Sequence, residues 1–419
     1  MKNLIIITIF IVFSALSLQA QKVLIPMDLA QTDHLKSYGL TYWIIKKGQN
    51  VDWLLNYRGG SFLTDYTDKI AAECRIRGVS FEKISSSAAS EIYKQVQSDD
   101  VNMDVVKLEK APKIAVYAPP GSHPWDDAVR LALEYAEVDH DVIYDEAVLS
   151  GKLKEYDWLH LHHEDFTGQY GKFWSNYRNQ PWYIQMVSLR ESIAQKLGYD
   201  KVSELKLDVA REIKKYVSDG GFMFAMCSAT DTYDIALSAH TTDICATPFD
   251  GDPQDPNANN KLDYGRTFAF EEYSLIMDPS IYEHSNIDMG PTGLPNPEGD
   301  YFTLFDFSAK YDPVPTMLTQ CHVDVVQGFL GQCTAFKEEF IKDHVRLLAK
   351  KEGTNEVKYI HGNFGRGTFT YYAGHDPEDY AHRIGDPPTD LSLHKNSPGY
   401  RLILNNILFP AAKKKKQKT

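Results

Sequence analysis

One segment constrains the fold of this chain more than any other: residues 203–230, where an amphipathic helix leads through a glycine pair into an apolar strand ending on a cysteine. Leu205, Val209, Ile213 and Val217 fall four apart and share one face of a helix. Ser203 stands where a cap can begin that helix, and Gly220-Gly221 stand where it stops. Residues 222–226 carry no polar side chain and predict a fully buried strand. Cys227 follows at once, with Ala225 and Ala229 two residues to either side. A strand-to-helix corner of this kind presents its central side chain on a strained turn, and small neighbours let the backbones approach. A helix starting there aims its N–H groups and dipole at the sulfur, which favours thiolate.

Strand and helix patterns alternate along most of the remaining chain, which predicts an α/β fold with an open, mostly parallel sheet. In residues 21–97, strand candidates at 23–27, 53–57 and 79–84 alternate with helical patterns near 38–47 and 64–77, a small N-terminal α/β lobe. Residues 98–112 turn polar and charged and read as a linker. The main domain is assigned to residues 113–410, with strands at 113–118, 141–144, 157–161, 222–226 and 367–372 and a closing helix at 400–409. From 248 to about 315, Asp, Asn, Pro and Gly dominate over a stretch too long for an ordinary connection. That composition predicts a long loop insertion over one end of the sheet.

The two ends are set apart. Lys2 precedes an apolar run at residues 4–16, shorter than the roughly 20 residues of a spanning helix. Residues 1–20 therefore read as a signal peptide with Ala20 as the last residue removed, and the mature chain is expected to be exported, periplasmic or secreted, without a transmembrane helix. Residues 411–419 form a basic tail. The whole chain nevertheless carries a formal charge of −13, which argues against nucleic acid as a partner and leaves a small-molecule substrate or ligand. Five cysteines leave at least one thiol unpaired within the chain. None shows C-x-x-C spacing, so a zinc ribbon and a thioredoxin motif are absent.

The segment Gly220-Gly221-Phe222-Met223-Phe224-Ala225-Met226-Cys227-Ser228-Ala229 resembles the cysteine turn of class I glutamine amidotransferases, Gly-x-Cys-x-Gly, with alanine at both glycine positions. Downstream, Gly365-Arg366-Gly367-Thr368-Phe369-Thr370-Tyr371-Tyr372-Ala373-Gly374-His375 is similar to the Gly-Lys-Gly-Arg-Val-Phe…Gly-His segment of the trehalose-utilisation (ThuA-like) branch of the same superfamily. His375-Asp376-Pro377-Glu378 also resembles the amidotransferase His-Pro-Glu, with Asp376 inserted. The resemblance covers roughly residues 112–410 and implies a flavodoxin-like, glutamine-amidotransferase-like domain. It also implies Cys227 as nucleophile, His375 as base, and Glu378 or Asp376 as the group that orients the imidazole. Gly374 and, after the first strand of the domain, His123 and Asp126 are candidates for lining the substrate side. The chain further resembles exported proteins labelled asparagine synthetase B, but its residues do not carry that activity. Such an enzyme uses an N-terminal cysteine exposed by removing the initiator methionine and a Ser- and Gly-rich ATP-pyrophosphatase loop. Neither is present here, nor is a Walker loop or a G-x-G-x-x-G.

Two other clusters are rich in metal-type ligands, and a divalent metal is the one cofactor they suggest. His160 and His162 share a face if their strand continues, His163 points away, and Glu164 or Asp165 can join from the turn. The run from Asp243 through Asp250, Asp252 and Asp255 is oxygen-rich enough for calcium but has Asp255 and Lys261 where an EF-hand has Gly and Glu. The leading expectation is thus a Cys–His hydrolase or transferase for a small polar or sugar-linked substrate. A non-catalytic binding or assembly protein on the same fold, and a metal-dependent hydrolase centred on His160 and His162, are the alternatives.

Overall fold

Two sheets carry the chain, and they are built by different rules. The computed structural model describes residues 21–122, 127–289, 299–313, 322–380 and 386–412. The predicted signal peptide, the lysines of the tail, His123, Asp126 and Cys321 lie outside the described residues.

The N-terminal lobe contains β1 (Gln21–Ile25), α1 (His34–Lys46), β2 (Val51–Leu55), β3 (Ser61–Asp65), α2 (Asp68–Arg77), β4 (Glu82–Ser85), α3 (Ser86–Val96) and β5 (Asp104–Leu108). Side-chain caps start its helices: Asp33 accepts from the Lys36 N–H at 2.9 Å, Thr67 from Ile70 at 3.1 Å and Ser85 from Ala88 at 3.2 Å. The sheet order is β4-β1-β3-β2-β5 with every neighbour antiparallel. This corrects the parallel arrangement expected from alternating strands and helices. The short turn after β2 folds β3 back antiparallel, and β3 then inserts between the two strands that α1 connects. The stretch read as a linker also holds β5, which pairs with β2 from Val51↔Leu108 to Leu55↔Asp104. Its charged Asp104 and Lys107, set in a polar stretch, hide it in a composition scan.

The second sheet belongs to the main domain. Its elements are β6 (Ile114–Tyr117), α4 (Ala128–Tyr135), β7 (Asp141–Ile143), α5 (Asp145–Leu149), β8 (Trp158–Leu161), α6 (Trp174–Tyr177), α7 (Pro181–Leu197), α8 (Val202–Ser218), β9 (Phe222–Met226), α9 (Ser228–Ser238), α10 (Thr247–Asp250), β10 (Tyr301–Leu304), β11 (Val325–Gln327), β12 (Phe336–Lys337), β13 (Arg346–Lys350), β14 (Glu356–Phe364), β15 (Gly367–Tyr372) and α11 (Pro398–Leu408). The order is β11-β10-β13-β14-β15-β9-β8-β6-β7, with β12 also on β14. Strands β15, β9, β8, β6 and β7 are mutually parallel, while the pairs from β15 outward to β11 are antiparallel. The sheet is therefore mixed rather than mostly parallel. Strands β13, β14 and β15 follow one another through short turns, and a short turn allows only an antiparallel return.

Helices cover both faces of this sheet. Leu205, Val209, Ile213 and Val217 of α8 are all buried against one face, beside α5, α7 and α9. Ser203, expected as the cap of α8, lies inside its first turn, and Lys201 holds the cap position. On the other face α4 and α11 pack with α1 of the lobe. Gly39 permits that contact, since a Cβ there would lie 1.6 Å from the Ala136 carbonyl oxygen. The fully buried Arg401 fastens the same junction by donating to the Gly59 carbonyl at 2.8 Å and the Met27 carbonyl at 3.2 Å. The inserted stretch is irregular between α10 and β10 but is pinned beneath α9. Asp234 accepts the N–H groups of Phe268, Ala269 and Phe270 at 2.8, 2.7 and 3.0 Å. No helix among the described residues is long and apolar enough to cross a membrane.

Candidate active site

The carboxyl ends of β6, β8, β9 and β15 lie side by side, the edge where open α/β sheets bind ligands. Each brings chemically active side chains to it: Asp127 after β6, His160, His162 and His163 at the end of β8, Cys227 after β9 and His375 after β15. Asp127, His160, His163, Cys227 and His375 line one cavity of about 10 Å³, room for about one water molecule.

Cys227 sits at φ 54° and ψ −137° between β9 and α9, a left-handed conformation that strains a residue with a Cβ. Ala225 and Ala229 are fully buried around it. Its sulfur accepts the Gln332 N–H at 3.2 Å, and the N–H groups of Ser228 and Cys333 also point at it. Burial pushes the thiol up to about 11 even though these three donors act in the opposite direction. The sulfur is thus a protonated thiol at neutral pH.

Imidazoles line the same cavity. His375 Nε2 stands 3.2 Å from His163 Nδ1, and the His163 ring is tilted against His162 at 3.7 Å between centroids. Burial, reinforced by the neighbouring His162 and His375, pushes His163 well below the ordinary imidazole range, and burial brings His162 down to about 4. Both rings are therefore neutral at pH 7. The backbone of His163 is held by the residue after Cys227, since Ser228 Oγ donates to the His163 carbonyl at 2.8 Å. His160 closes the set. Its Nε2 meets Asp127 Oδ2 at 2.8 Å and its Nδ1 meets the Phe224 carbonyl at 3.1 Å. Both ring nitrogens of His160 are thus committed, one to Asp127 and one to the β9 backbone. Burial opposes ionisation of Asp127, but the charge and hydrogen bond of His160, then His162 and His163, outweigh it and hold the carboxyl far below its usual range. Asp127 also caps α4 through the N–H groups of Val129 and Arg130 at 2.7 and 3.1 Å, which fixes its contact with His160 to the scaffold.

The other predicted residues go elsewhere. Asp376 accepts the Glu378 N–H at 2.9 Å and the Thr389 hydroxyl at 2.7 Å, and Glu378 pairs with His394 Nδ1 at 2.9 Å. The group bonded to the His375 ring is His163, which the sequence placed on the far side of the strand. That strand ends at Leu161, so the alternation rule does not extend to His163. Gly374, at φ 88°, donates to the Cys333 carbonyl at 2.8 Å, and a Cβ there would run into Phe329. Its role is to place His375. Glu164 turns away from His160 and His162 to a buried ion pair with Arg190 and accepts from Tyr144 Oη at 3.0 Å. His160 has both nitrogens committed, so these three side chains do not converge as ligands.

Among the described residues, the side chains that stand together as metal ligands are Asp243, Cys245 and Asp250. A cation of the protein already fills their centre. Lys201 Nζ lies 2.9 Å from Asp243, 2.9 Å from Asp250 and 2.6 Å from Asp252. Cys245 donates its S–H to the Thr167 carbonyl at 3.2 Å, and burial followed by the charges of Asp250 and Asp243 keeps it a thiol. The donor set fits the tethered ammonium better than a resident ion. A larger cavity, of about 260 Å³, opens beside Lys201, Glu204 and His240 and holds none of the Cys227 group.

No family model matches the chain, and no curated protein does. Among solved structures it is similar to a cytoplasmic protein from Salmonella typhimurium, with 12% identity over 72% of this chain and 100% of that one and a TM-score of 0.35. A cytoplasmic protein from Salmonella typhimurium LT2 gives 12% identity, 72% and 100% coverage, and a TM-score of 0.36. An exo-beta-1,4-mannosidase from Opitutaceae bacterium strain TAV5 gives 11% identity, 62% and 31% coverage, and a TM-score of 0.26.

Proposed function

We propose that the chain is a Cys–His hydrolase or transferase of a small polar substrate, built on a glutamine-amidotransferase-like domain. Cys227 is the nucleophile, His375 the base, and His163 the ring that orients it. The observation that carries this reading is the backbone of Cys227, strained at φ 54° on a strand-to-helix corner with its sulfur facing backbone N–H donors. Such strain persists where the surroundings impose it, and it concentrates at working sites. His375 takes the thiol proton, the sulfur attacks an electrophilic carbon, and the imidazolium returns the proton to the leaving group. The N–H groups of Gln332, Ser228 and Cys333 offset the charge that develops on sulfur. A cavity of about 10 Å³ admits such a substrate only when its walls rearrange. The apolar run at residues 4–16 supports an exported, periplasmic or secreted, location for this activity.

A second reading, a ligand-binding protein that has kept the fold without the chemistry, is favoured by one observation. The thiol is pushed up to about 11, away from a ready nucleophile. Reaction of the native chain with iodoacetamide, mapped by peptide mass, separates the two. The catalytic reading expects one modified site, Cys227, lost in Cys227→Ser and slowed in His375→Ala. A native chain that leaves Cys227 unmodified while denatured chain takes the label supports the binding protein instead.

A further inference from the structure

The loop at residues 331–333 brings a second thiol to the nucleophile. Cys333 directly follows Gln332, whose N–H donates to the Cys227 sulfur at 3.2 Å, and the Cys227 and Cys333 sites act on each other electrostatically. The Cys333 thiol is free, wholly buried and hydrogen-bonded to Thr230. Thr230 in turn donates to the Cys227 carbonyl at 2.7 Å. Both sulfurs thus border the first turn of α9. Neither of the other described thiols is so placed: Cys74 lies in the core beneath α2, and Cys245 is spent on Thr167. On its open side Cys227 faces a cavity of about 10 Å³, with room for about one water molecule, where a small polar oxidant can reach the sulfur once the walls give slightly.

We infer that Cys227 and Cys333 form a peroxide-reactive pair, in which Cys227 takes the oxygen and Cys333 resolves it as a reversible disulfide. This rests on Cys227 being the reactive thiol of the proposed function. His375 accepts the Cys227 proton, and the thiolate attacks one oxygen of a hydroperoxide. The O–O bond breaks, the alcohol or water leaves with the imidazolium proton, and Cys227 is left as a sulfenic acid. The Cys333 sulfur then attacks the Cys227 sulfur, the S–O bond breaks, and hydroxide departs as water with the Cys333 proton. Two thiols are oxidised by two electrons while the hydroperoxide is reduced to an alcohol and water. The disulfide closes off the nucleophile and protects it from the irreversible sulfinic and sulfonic states.

The test treats the native full chain with a few equivalents of hydrogen peroxide and maps cysteine-linked peptides by mass without reduction. A Cys227–Cys333 linkage, reversed by dithiothreitol, is the expected result. In Cys333→Ala, Cys227 should instead be trapped by dimedone and pass on to sulfinic acid. Cys227 oxidised to sulfinic acid while Cys333 stays a thiol in the native chain, or linkages confined to other cysteines, would overturn the inference without any variant having to fold. Iodoacetamide on untreated protein separates the two levels. Uptake at Cys227 with no Cys227–Cys333 linkage sinks the pair alone, whereas no uptake and no oxidation at Cys227 sinks the proposed function as well.

Discussion

Cys227 and Cys245 are both buried thiols, one at the start of α9 and one in the loop after it, yet their surroundings have opposite characters. Cys227 stands in strained backbone, receives N–H groups on its sulfur and shares a cavity with imidazoles. Cys245 donates its own S–H to a carbonyl and lies beside carboxylates whose charge is met by Lys201. Burial raises both thiols. What separates them is the direction of the hydrogen bond at sulfur, accepted from Gln332 at Cys227 and donated to Thr167 at Cys245, and the imidazoles that share the Cys227 cavity. A cysteine's burial therefore says little about its reactivity until its hydrogen-bond partners are known.

The contrast is broken most directly by chemistry at the two sulfurs. Cys227 should react with a small alkylating reagent on the order of 100-fold faster than Cys245, the scale of assistance by a positioned base. Peptide-resolved labelling rates check this, and equal rates would remove the distinction. Acid is the next largest effect. The His162 ring is pushed down to about 4 and His361 to about 3, each by burial first. Both lie below the unfolded value of about 6.5, so the unfolded chain binds protons that the folded chain refuses. Their contribution to stability is whole above pH 6.5 and is lost as pH falls towards 4, by about 2 kcal/mol for each ring at pH 5. Denaturant melts at pH 7.5 and pH 5 should show this loss.

On the Cys245 side, Lys201→Met leaves Asp243, Asp250 and Asp252 facing one another. The loss should be about 2 kcal/mol, read from the denaturant midpoint, because carboxylates partly shielded from water are left uncompensated. A divalent cation should restore part of it in the variant and do little for the native chain. The smallest effect belongs to Ser228→Ala, which frees the His163 carbonyl. It should cost about 1 kcal/mol and slow Cys227 labelling severalfold without altering Cys245.

Much of the frame around Cys227 was legible in the sequence because it is local. The four-apart residues of α8, the apolar run of β9 and the small residues at the corner lie within one continuous stretch. The pairing rules of the sheets were not legible. β3 enters between β1 and β2, and β13 to β15 turn back on themselves, which depends on turn lengths and partners that periodicity does not record. The site shows the same division. Cys227 and His375 were visible from short motifs, whereas His163 became a partner because β8 stops one residue before His162. Gln332 contributes only a backbone N–H from a loop 105 residues away, and no side-chain pattern announces that. Asp127 gives a weak local signal, an acidic residue just before a helix, but its pairing with His160 is a contact across two strands.

The central claim is that His375 activates Cys227. The measurement that tests it most directly is the rate of Cys227 alkylation between pH 6 and 9 in the native chain and in His375→Ala, with Cys245 followed as an internal control. The account predicts a rate about tenfold or more lower in the variant throughout that range, with Cys245 unchanged. Identical Cys227 rates in the two proteins would contradict it.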